Sequence, residues 1–170
     1  VEEKGVALLL EAWRGVDATL VVIGDGPLEA AARSAPGVRF LGPLPREELP
    51  RAYAASSFAL LPSIPTPLWR EPWGLVCNEA MHQGRPMIAS DAVGAVAGGL
   101  VQDEVNGLVV PAGDAQALAD AVTRLLGDAP LRGRLGAQAL RSVAPYTYDA
   151  MADAFGRALT TAINPSPTGP

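Results

Sequence analysis

The segment EPWGLVCNE, residues 71–79, holds a turn, the start of a helix and two carboxylates within nine residues. Pro72 fixes its own φ angle and has no N–H to donate, so it fits before a helix or in its first turn but not inside one. Apolar residues then recur at helical spacing until Pro86 forbids continuation. The pattern predicts a buried helix of about three turns that begins near Trp73 or Gly74.

The start of this helix is suited to binding an anion. Its first N–H groups have no partner inside the helix, and the helix dipole adds a partial positive charge that favours phosphate. Glu71 precedes the helix and Glu79 lies within it, so two hydrogen-bond acceptors flank the anion position. A nucleoside-diphosphate sugar has matching needs, because its diphosphate requires donors and its hydroxyls require acceptors.

Strands and helices alternate on both sides of this segment. Continuous apolar runs predict strands at residues 20–23, 38–41, 58–61, 87–89 and 106–110. Strands of this kind joined by helices are typical of a parallel sheet, so we predict an α/β fold with an open parallel sheet. The predicted helices lie near residues 5–14, 28–34, 46–55, 73–84, 114–126, 131–142 and 147–162.

The composition narrows the class of protein. The 170 residues suit one domain with a sizeable core, and 49% apolar with 18% charged residues is typical of a globular chain. The net charge of −5 argues against nucleic acid as the main partner, because that binding depends on neutralising phosphates with Lys and Arg. Lys4 is the only lysine among thirteen basic residues, which favours a specific role for it.

The single cysteine is typical of a reducing compartment, and the hydropathy of the sequence predicts no membrane span. The single cysteine, Cys77, excludes an internal disulfide and cannot build a zinc site, so we expect a buried thiol. No apolar run approaches the ~20 residues that span a bilayer, and residues 1–4 lack the core of a signal peptide. We therefore expect a cytoplasmic protein without a transmembrane segment. We also expect no metal, since no Asp-x-Asp pair is present to hold Mg²⁺.

The Glu-x7-Glu spacing of Glu71 and Glu79 resembles a pattern of the retaining, nucleotide-sugar-dependent glycosyltransferases of family 4. These enzymes have the GT-B fold of two Rossmann-like domains. The resemblance implies the C-terminal half, with residues 1–163 as a nucleotide-sugar-binding Rossmann-like domain that has helices on both faces of its sheet. Residues 164–170 have no apolar side chain to bury, so we expect a disordered tail. Six further segments recur in the family in the same order, namely residues 4–5, 22–27, 40–42, 61–63, 84–90 and 106–110.

The same resemblance implies that parts of the enzyme lie outside this sequence. Only three residues precede Lys4, so we expect the domain to lack the strand that normally comes before its first helix. The acceptor would belong to an N-terminal domain, and an arginine upstream would join Lys4 on the donor diphosphate. We expect the chain alone to bind nucleotide weakly and to transfer nothing. An exposed sheet edge would favour self-association.

By resemblance, Lys4 and Glu71 are the catalytic residues. Lys4 would neutralise the phosphates of the donor, and Glu71 would accept hydrogen bonds from hydroxyls of the transferred sugar. Each residue also has a simpler interpretation. Lys4 would otherwise be a solvated side chain near the start of the chain, and Glu71 an acid that only stabilises a helix dipole.

The donor-binding residues implied by the resemblance follow directly in sequence. The backbone N–H groups of Trp73, Gly74 and Leu75 would meet sugar or phosphate oxygens, and Glu79 would bind the two ribose hydroxyls. A salt bridge to an arginine is the alternative for Glu79. The indole of Trp73 would either stack on the ligand or anchor the turn.

The nucleobase would lie elsewhere, near the turn that contains Gly42 and Leu44 after a predicted strand. Residues 24–27, GDGP, lack the full Gly-x-Gly-x-x-Gly pattern and are interpreted as a plain turn. After residues 89–90 the family usually carries a glycine pair followed by Pro-Glu. This chain has the loop-like, small-residue run GAVAGG at residues 94–99 instead, which puts the role of that glutamate in doubt.

The resemblance implies that no cofactor is needed and that the partners are a nucleotide-sugar donor and an acceptor. Two other functions are also compatible with the sequence. One is a sugar-nucleotide epimerase or phosphorylase of the same fold, and the other is a non-catalytic α/β interaction domain. A dinucleotide-dependent oxidoreductase is disfavoured, because the fingerprint glycines and their downstream acid are not in place.

Overall fold

The computed structural model describes residues 2–163, and the predicted tail, residues 164–170, lies outside that range. After a single 3₁₀ turn, helices and strands alternate as predicted. The elements of this first part are α1 (Val6–Ala12), β1 (Leu20–Ile23), α2 (Glu29–Ser34), β2 (Val38–Gly42), α3 (Leu49–Ala55) and β3 (Ala59–Leu61).

The second part of the chain begins with the helix that carries the two-carboxylate segment and ends with three consecutive helices. Every helix predicted here is present, with ends shifted by one or two residues. The elements are α4 (Leu75–His82), β4 (Met87–Ser90), α5 (Gly94–Ala97), β5 (Gly107–Val110), α6 (Ala115–Gly127), α7 (Ala129–Val143) and α8 (Tyr148–Ile163).

All strand pairs are parallel, which confirms the predicted fold class. The strands nevertheless form two sheets instead of one: β1 pairs with β2, and β4 lies between β3 and β5. Among the described residues no ladder joins β1 to β3. The sheets still share a core, since Leu20 of β1 and Ile88 of β4 belong to the same hydrophobic cluster.

Helices cover both faces of the larger sheet. The side chains of β4 alternate between the two hydrophobic clusters that lie on these faces. Ile88 packs with apolar residues of α1 and α6. Met87 and Ala89 point to the other face and pack with α4 and the C-terminal part of α7. All three side chains are fully buried. The continuously apolar pattern of this strand is therefore explained by burial on both sides.

The parallel arrangement determines where the two-carboxylate segment lies. Residues 62–74 leave the C-terminal end of β3 and lead into α4. Ligands of open α/β sheets bind outside the carboxyl ends of the strands, so this segment lies at the edge where a binding site is expected.

A helix, α5, replaces the loop predicted around residues 94–99. Small residues are required here by close packing. A Cβ atom on Gly94 would lie 1.9 Å from the carbonyl oxygen of Pro72, and one on Gly98 would lie 2.6 Å from the ring of Trp73. The backbone N–H groups of Gly94 and Ala95 donate to the carbonyls of Glu71 and Trp73 at 3.0 and 2.7 Å. Helix α5 therefore holds the turn that precedes α4.

The last helix, α8, carries an apolar stripe on an otherwise polar surface. Its large apolar side chains recur at spacings of three or four residues and are all exposed. Such a stripe is typical of a helix that packs on another surface. Among residues 2–163, no helix combines the length and the apolar character needed to cross a bilayer. The side chains of the stripe are Tyr148, Met151, Phe155, Leu159 and Ile163.

We predict that Gly94→Ala destabilises the protein by about 1–3 kcal/mol, because backbone atoms of the Pro72 turn must move to admit the new methyl group. Urea unfolding followed by tryptophan fluorescence measures the change. Gly133→Ala in α7 is the control, since no atom lies within 4 Å of its added Cβ. That control should gain up to about 1 kcal/mol of stability. Equal stability of Gly94→Ala and wild type would contradict the packing argument.

Candidate functional site

The predicted helix start is confirmed to within two residues, since α4 begins at Leu75. Gly74 caps it with a φ angle of 90°, a left-handed conformation that favours glycine. A Cβ atom there would also lie 2.6 Å from Cδ2 of Leu61. Both constraints explain why a glycine separates the Pro-Trp turn from the helix, and they let β3 approach the start of α4.

Lys4 and Glu71, which are far apart in sequence, form an ion pair at this position. The Lys4 Nζ atom donates to Oε2 of Glu71 at 2.5 Å. Glu71 is only 8% exposed, whereas the Lys4 side chain is 44% exposed. The structure thus joins the two residues that the resemblance assigned to catalysis. Lys4 is still exposed at the surface, so its phosphate-binding role stays a prediction, but its ammonium has a partner within the described residues.

Two neighbours that the sequence reasoning did not assign complete this pair. The Ser63 hydroxyl donates to Oε2 of Glu71 at 3.3 Å, and the carbonyl of Ser63 accepts from Ser90 at 2.5 Å. Lys4 Nζ lies 4.9 Å from the centroid of the Trp69 ring, which is a cation–π contact. Ser63 belongs to the segment 61–63 that recurs in the family, and Trp69 lies just before Glu71, but neither fact identified these contacts.

The backbone of the turn presents hydrogen-bond donors. No described residue accepts a hydrogen bond from the N–H of Trp73, Gly74 or Leu75. The indole of Trp73 donates to Oδ1 of Asn78 at 2.7 Å and its ring centroid lies 5.8 Å from that of Tyr146. Of the two interpretations of this side chain, anchoring of the turn is therefore the one that its contacts support.

Glu79 has a different environment from Glu71. The hydroxyl of Tyr53 on α3 donates to its Oε2 atom at 3.0 Å. Among the described residues no arginine lies within salt-bridge distance of Glu79, so the alternative of an ion pair is wrong for residues 2–163. Burial, together with the nearby Glu79 carboxylate, raises the pKa of Tyr53 above its usual range, so the phenol stays protonated.

Gly42 and Leu44 lie apart from these contacts. Gly42 ends β2 with a left-handed φ of 76°, and its carbonyl accepts from the N–H of Gly24 at 2.9 Å. Within the described part of the chain, no hydrogen bond connects this turn to Glu71 or Glu79. The predicted nucleobase residues thus follow a strand of the smaller sheet, whereas the segment from Glu71 to Glu79 follows β3 of the larger one.

Other features of residues 2–163 do not compete with this site. No group of three or more His, Cys, Asp and Glu side chains within that range is arranged to hold a metal ion. One open hollow, of about 550 Å³, runs along α8, and another, of about 430 Å³, is lined in part by Arg85 and Arg132. No predicted site residue lines either hollow.

The fold and these contacts define an α/β domain with a charged site at the carboxyl edge of its sheet. Comparison with known proteins identifies the family: the chain belongs to the glycosyl transferases group 1 family, whose sequence profile matches residues 1–128. The family-level resemblance is therefore confirmed. Assignment to family 4 and retention of configuration stay predictions.

Individual relatives agree with this assignment. A D-inositol 3-phosphate glycosyltransferase of Corynebacterium diphtheriae is 35% identical over a 165-residue alignment that covers 88% of this chain and 36% of that protein. The sucrose-phosphate synthase of Thermosynechococcus elongatus superposes with a TM-score of 0.82 at 30% identity, over 98% of this chain and 44% of that one. Anabaena HepE, solved in complex with UDP-glucose, has the same fold at 24% identity, with a TM-score of 0.77 over 95% of this chain and 46% of that one. This chain spans less than half the length of these relatives.

We predict that the Cys77 thiol is unreactive in the folded protein. Its side chain is fully buried, and burial together with the charge of Glu71 raises its pKa to about 12. At pH 8 only about one thiol in ten thousand is then ionised, and the thiolate is the reactive form. A disulfide reagent should label Cys77 in urea but not in buffer. Rapid stoichiometric labelling of the folded protein would contradict this burial.

Proposed function

We propose that this chain is the donor-binding half of a retaining family 4 glycosyltransferase with the GT-B fold. The observation that supports the proposal is the Lys4–Glu71 ion pair next to the start of α4, where the N–H groups of residues 73–75 have no partner among the described residues. A cation and unpaired backbone donors at a helix start are the groups that a diphosphate requires.

The donor diphosphate would lie between Lys4 and the start of α4. The N–H groups of Trp73, Gly74 and Leu75 are free to donate to its oxygens, and the dipole of α4 adds a favourable field. The ammonium of Lys4 is partly exposed, so it can contact a phosphate oxygen without the cost of opening a buried core. Charge stabilisation of the departing nucleoside diphosphate would be its catalytic contribution.

Glu71 would accept hydrogen bonds from the transferred sugar. Its carboxylate is buried and accepts from both Lys4 and Ser63, so its position is fixed before the donor arrives. Because Oε2 receives both of these bonds, Oε1 is available for a sugar hydroxyl. The ion pair therefore links recognition of the sugar to recognition of the phosphate.

Glu79 would bind the ribose hydroxyls, and the turn at Gly42 and Leu44 would contact the nucleobase. The complex of Anabaena HepE with UDP-glucose supports a nucleotide-sugar donor for a domain of this fold. The longer relatives support an acceptor site outside this chain. Transfer then requires that second part, while no cofactor or metal is assigned to the reaction, and a cytoplasmic location stays a prediction.

Calorimetric titration of the chain with UDP, GDP and ADP tests donor binding. We expect one base to bind selectively, and Glu79→Ala to weaken that binding by roughly 1–3 kcal/mol through lost ribose hydrogen bonds. Glu11→Ala is the matched control, because Glu11 is an exposed helical glutamate of α1. Failure of all three nucleotides to bind the folded wild-type chain would overturn the proposed function.

A second prediction concerns the charge of Lys4. Lys4→Met should weaken binding of the preferred nucleoside diphosphate roughly 5- to 30-fold, because a charge-assisted hydrogen bond is lost, and should leave binding of the corresponding nucleoside unchanged. Arg124→Met, which removes the exposed ion pair with Glu104, controls for the change in net charge. Equal weakening of diphosphate and nucleoside would show that Lys4 does not contact phosphate.

A further inference from the structure

Tyr53 on α3 touches the proposed site although the proposed function gives it no role. Its hydroxyl donates to Oε2 of Glu79 at 3.0 Å across 26 residues of sequence. The contact joins two helices, so it is part of the tertiary structure and not of one local turn. A residue that holds a binding carboxylate from a neighbouring helix acts on where that carboxylate points.

The ring of Tyr53 is itself held firmly. It is half-buried and packs against the hydrophobic cluster that lies between the larger sheet and α4. Its carbonyl accepts two hydrogen bonds from Ser56, at 3.0 Å from the backbone N–H and at 2.8 Å from the hydroxyl. The backbone and the ring of Tyr53 are both anchored. Its hydroxyl is therefore a rigid donor, and it restricts the rotamers of Glu79.

The geometry leaves one side of the carboxylate unused. Oε2 of Glu79 accepts from Tyr53, whereas no described residue donates to Oε1. A carboxylate with one oxygen fixed and the other free suits a vicinal diol, which brings two O–H donors. Without the phenol, the same carboxylate would sample several rotamers and would have to be ordered when the ligand binds.

We propose that Tyr53 is a positioning residue that orients Glu79 toward the ribose and so determines selectivity for ribonucleotides over 2′-deoxyribonucleotides. This inference rests on the proposed function, in which Glu79 binds the ribose hydroxyls. The raised pKa of Tyr53 agrees with it, because the phenol remains a donor throughout the neutral pH range. If the contact only stabilised the packing of α3 on α4, its loss would lower stability without changing the preference for ribose over 2′-deoxyribose.

The test compares the affinity of the preferred ribonucleoside diphosphate with that of its 2′-deoxy form, by calorimetry on the same chain. Wild type should prefer the ribonucleotide, and Tyr53→Phe should reduce that preference roughly 3- to 10-fold, because the 2′-deoxy form keeps only its 3′-hydroxyl for Glu79 and so loses less affinity. In a Glu79→Ala background, Tyr53→Phe should have no further effect on the preference. Tyr148→Phe, on the exposed face of α8, is the matched control.

The outcomes separate this inference from the proposed function. If wild type binds and Glu79→Ala weakens binding, but Tyr53→Phe leaves the ribonucleotide preference intact, the positioning role is wrong and the donor site stands. An equal loss for both nucleotides would also overturn the role. No binding of either nucleotide by wild type would overturn both proposals. If Tyr53→Phe does not fold, Tyr53→Met removes the donor, keeps an apolar side chain and makes the same comparison.

Discussion

The close contact between α5 and the turn before α4 is the constraint on which the candidate site depends. Because Gly94 has no side chain, its helix approaches the carbonyl of Pro72 to a distance that any Cβ atom would prevent. Two backbone hydrogen bonds, donated by the first residues of α5 to the carbonyls of Glu71 and Trp73, then hold the turn against α5. Within the described residues the N–H groups of Trp73, Gly74 and Leu75 donate no hydrogen bond, so this packing uses the carbonyls of the turn and leaves these three donors without a partner.

The two carboxylates of the segment are held by different chemistry, and this difference fits different roles. Glu71 is buried beside a cation, so its orientation is tied to the charge that would meet phosphate. Glu79 instead accepts a hydrogen bond from the neutral phenol of Tyr53, which fixes the orientation of the carboxylate without neutralising its charge. A charged partner suits a residue near the reacting atoms, whereas a neutral partner suits one that only binds hydroxyls.

Patterns local to the chain predicted most of the fold, because burial on both faces of β4 appears directly as a continuous apolar run, and Pro72 with Gly74 marks the start of α4. Contacts between distant segments were not predictable in the same way. The small residues of α5 looked like a loop because nothing local shows that Pro72 packs on them. The partner of Glu79 was likewise missed, since Tyr53 lies on another helix and its spacing carries no signal. The division into two sheets depends on which strands meet, which periodicity does not specify.

The proposed function requires a nucleoside diphosphate to bind at the start of α4. The most direct measurement is a titration of the ¹⁵N-labelled chain with the preferred nucleoside diphosphate, followed by backbone amide NMR. We predict the largest shifts at the amides of Trp73, Gly74 and Leu75, with smaller changes near Lys4 and Glu79. Shifts confined to the turn at residues 24–27, with none at the start of α4, would contradict it.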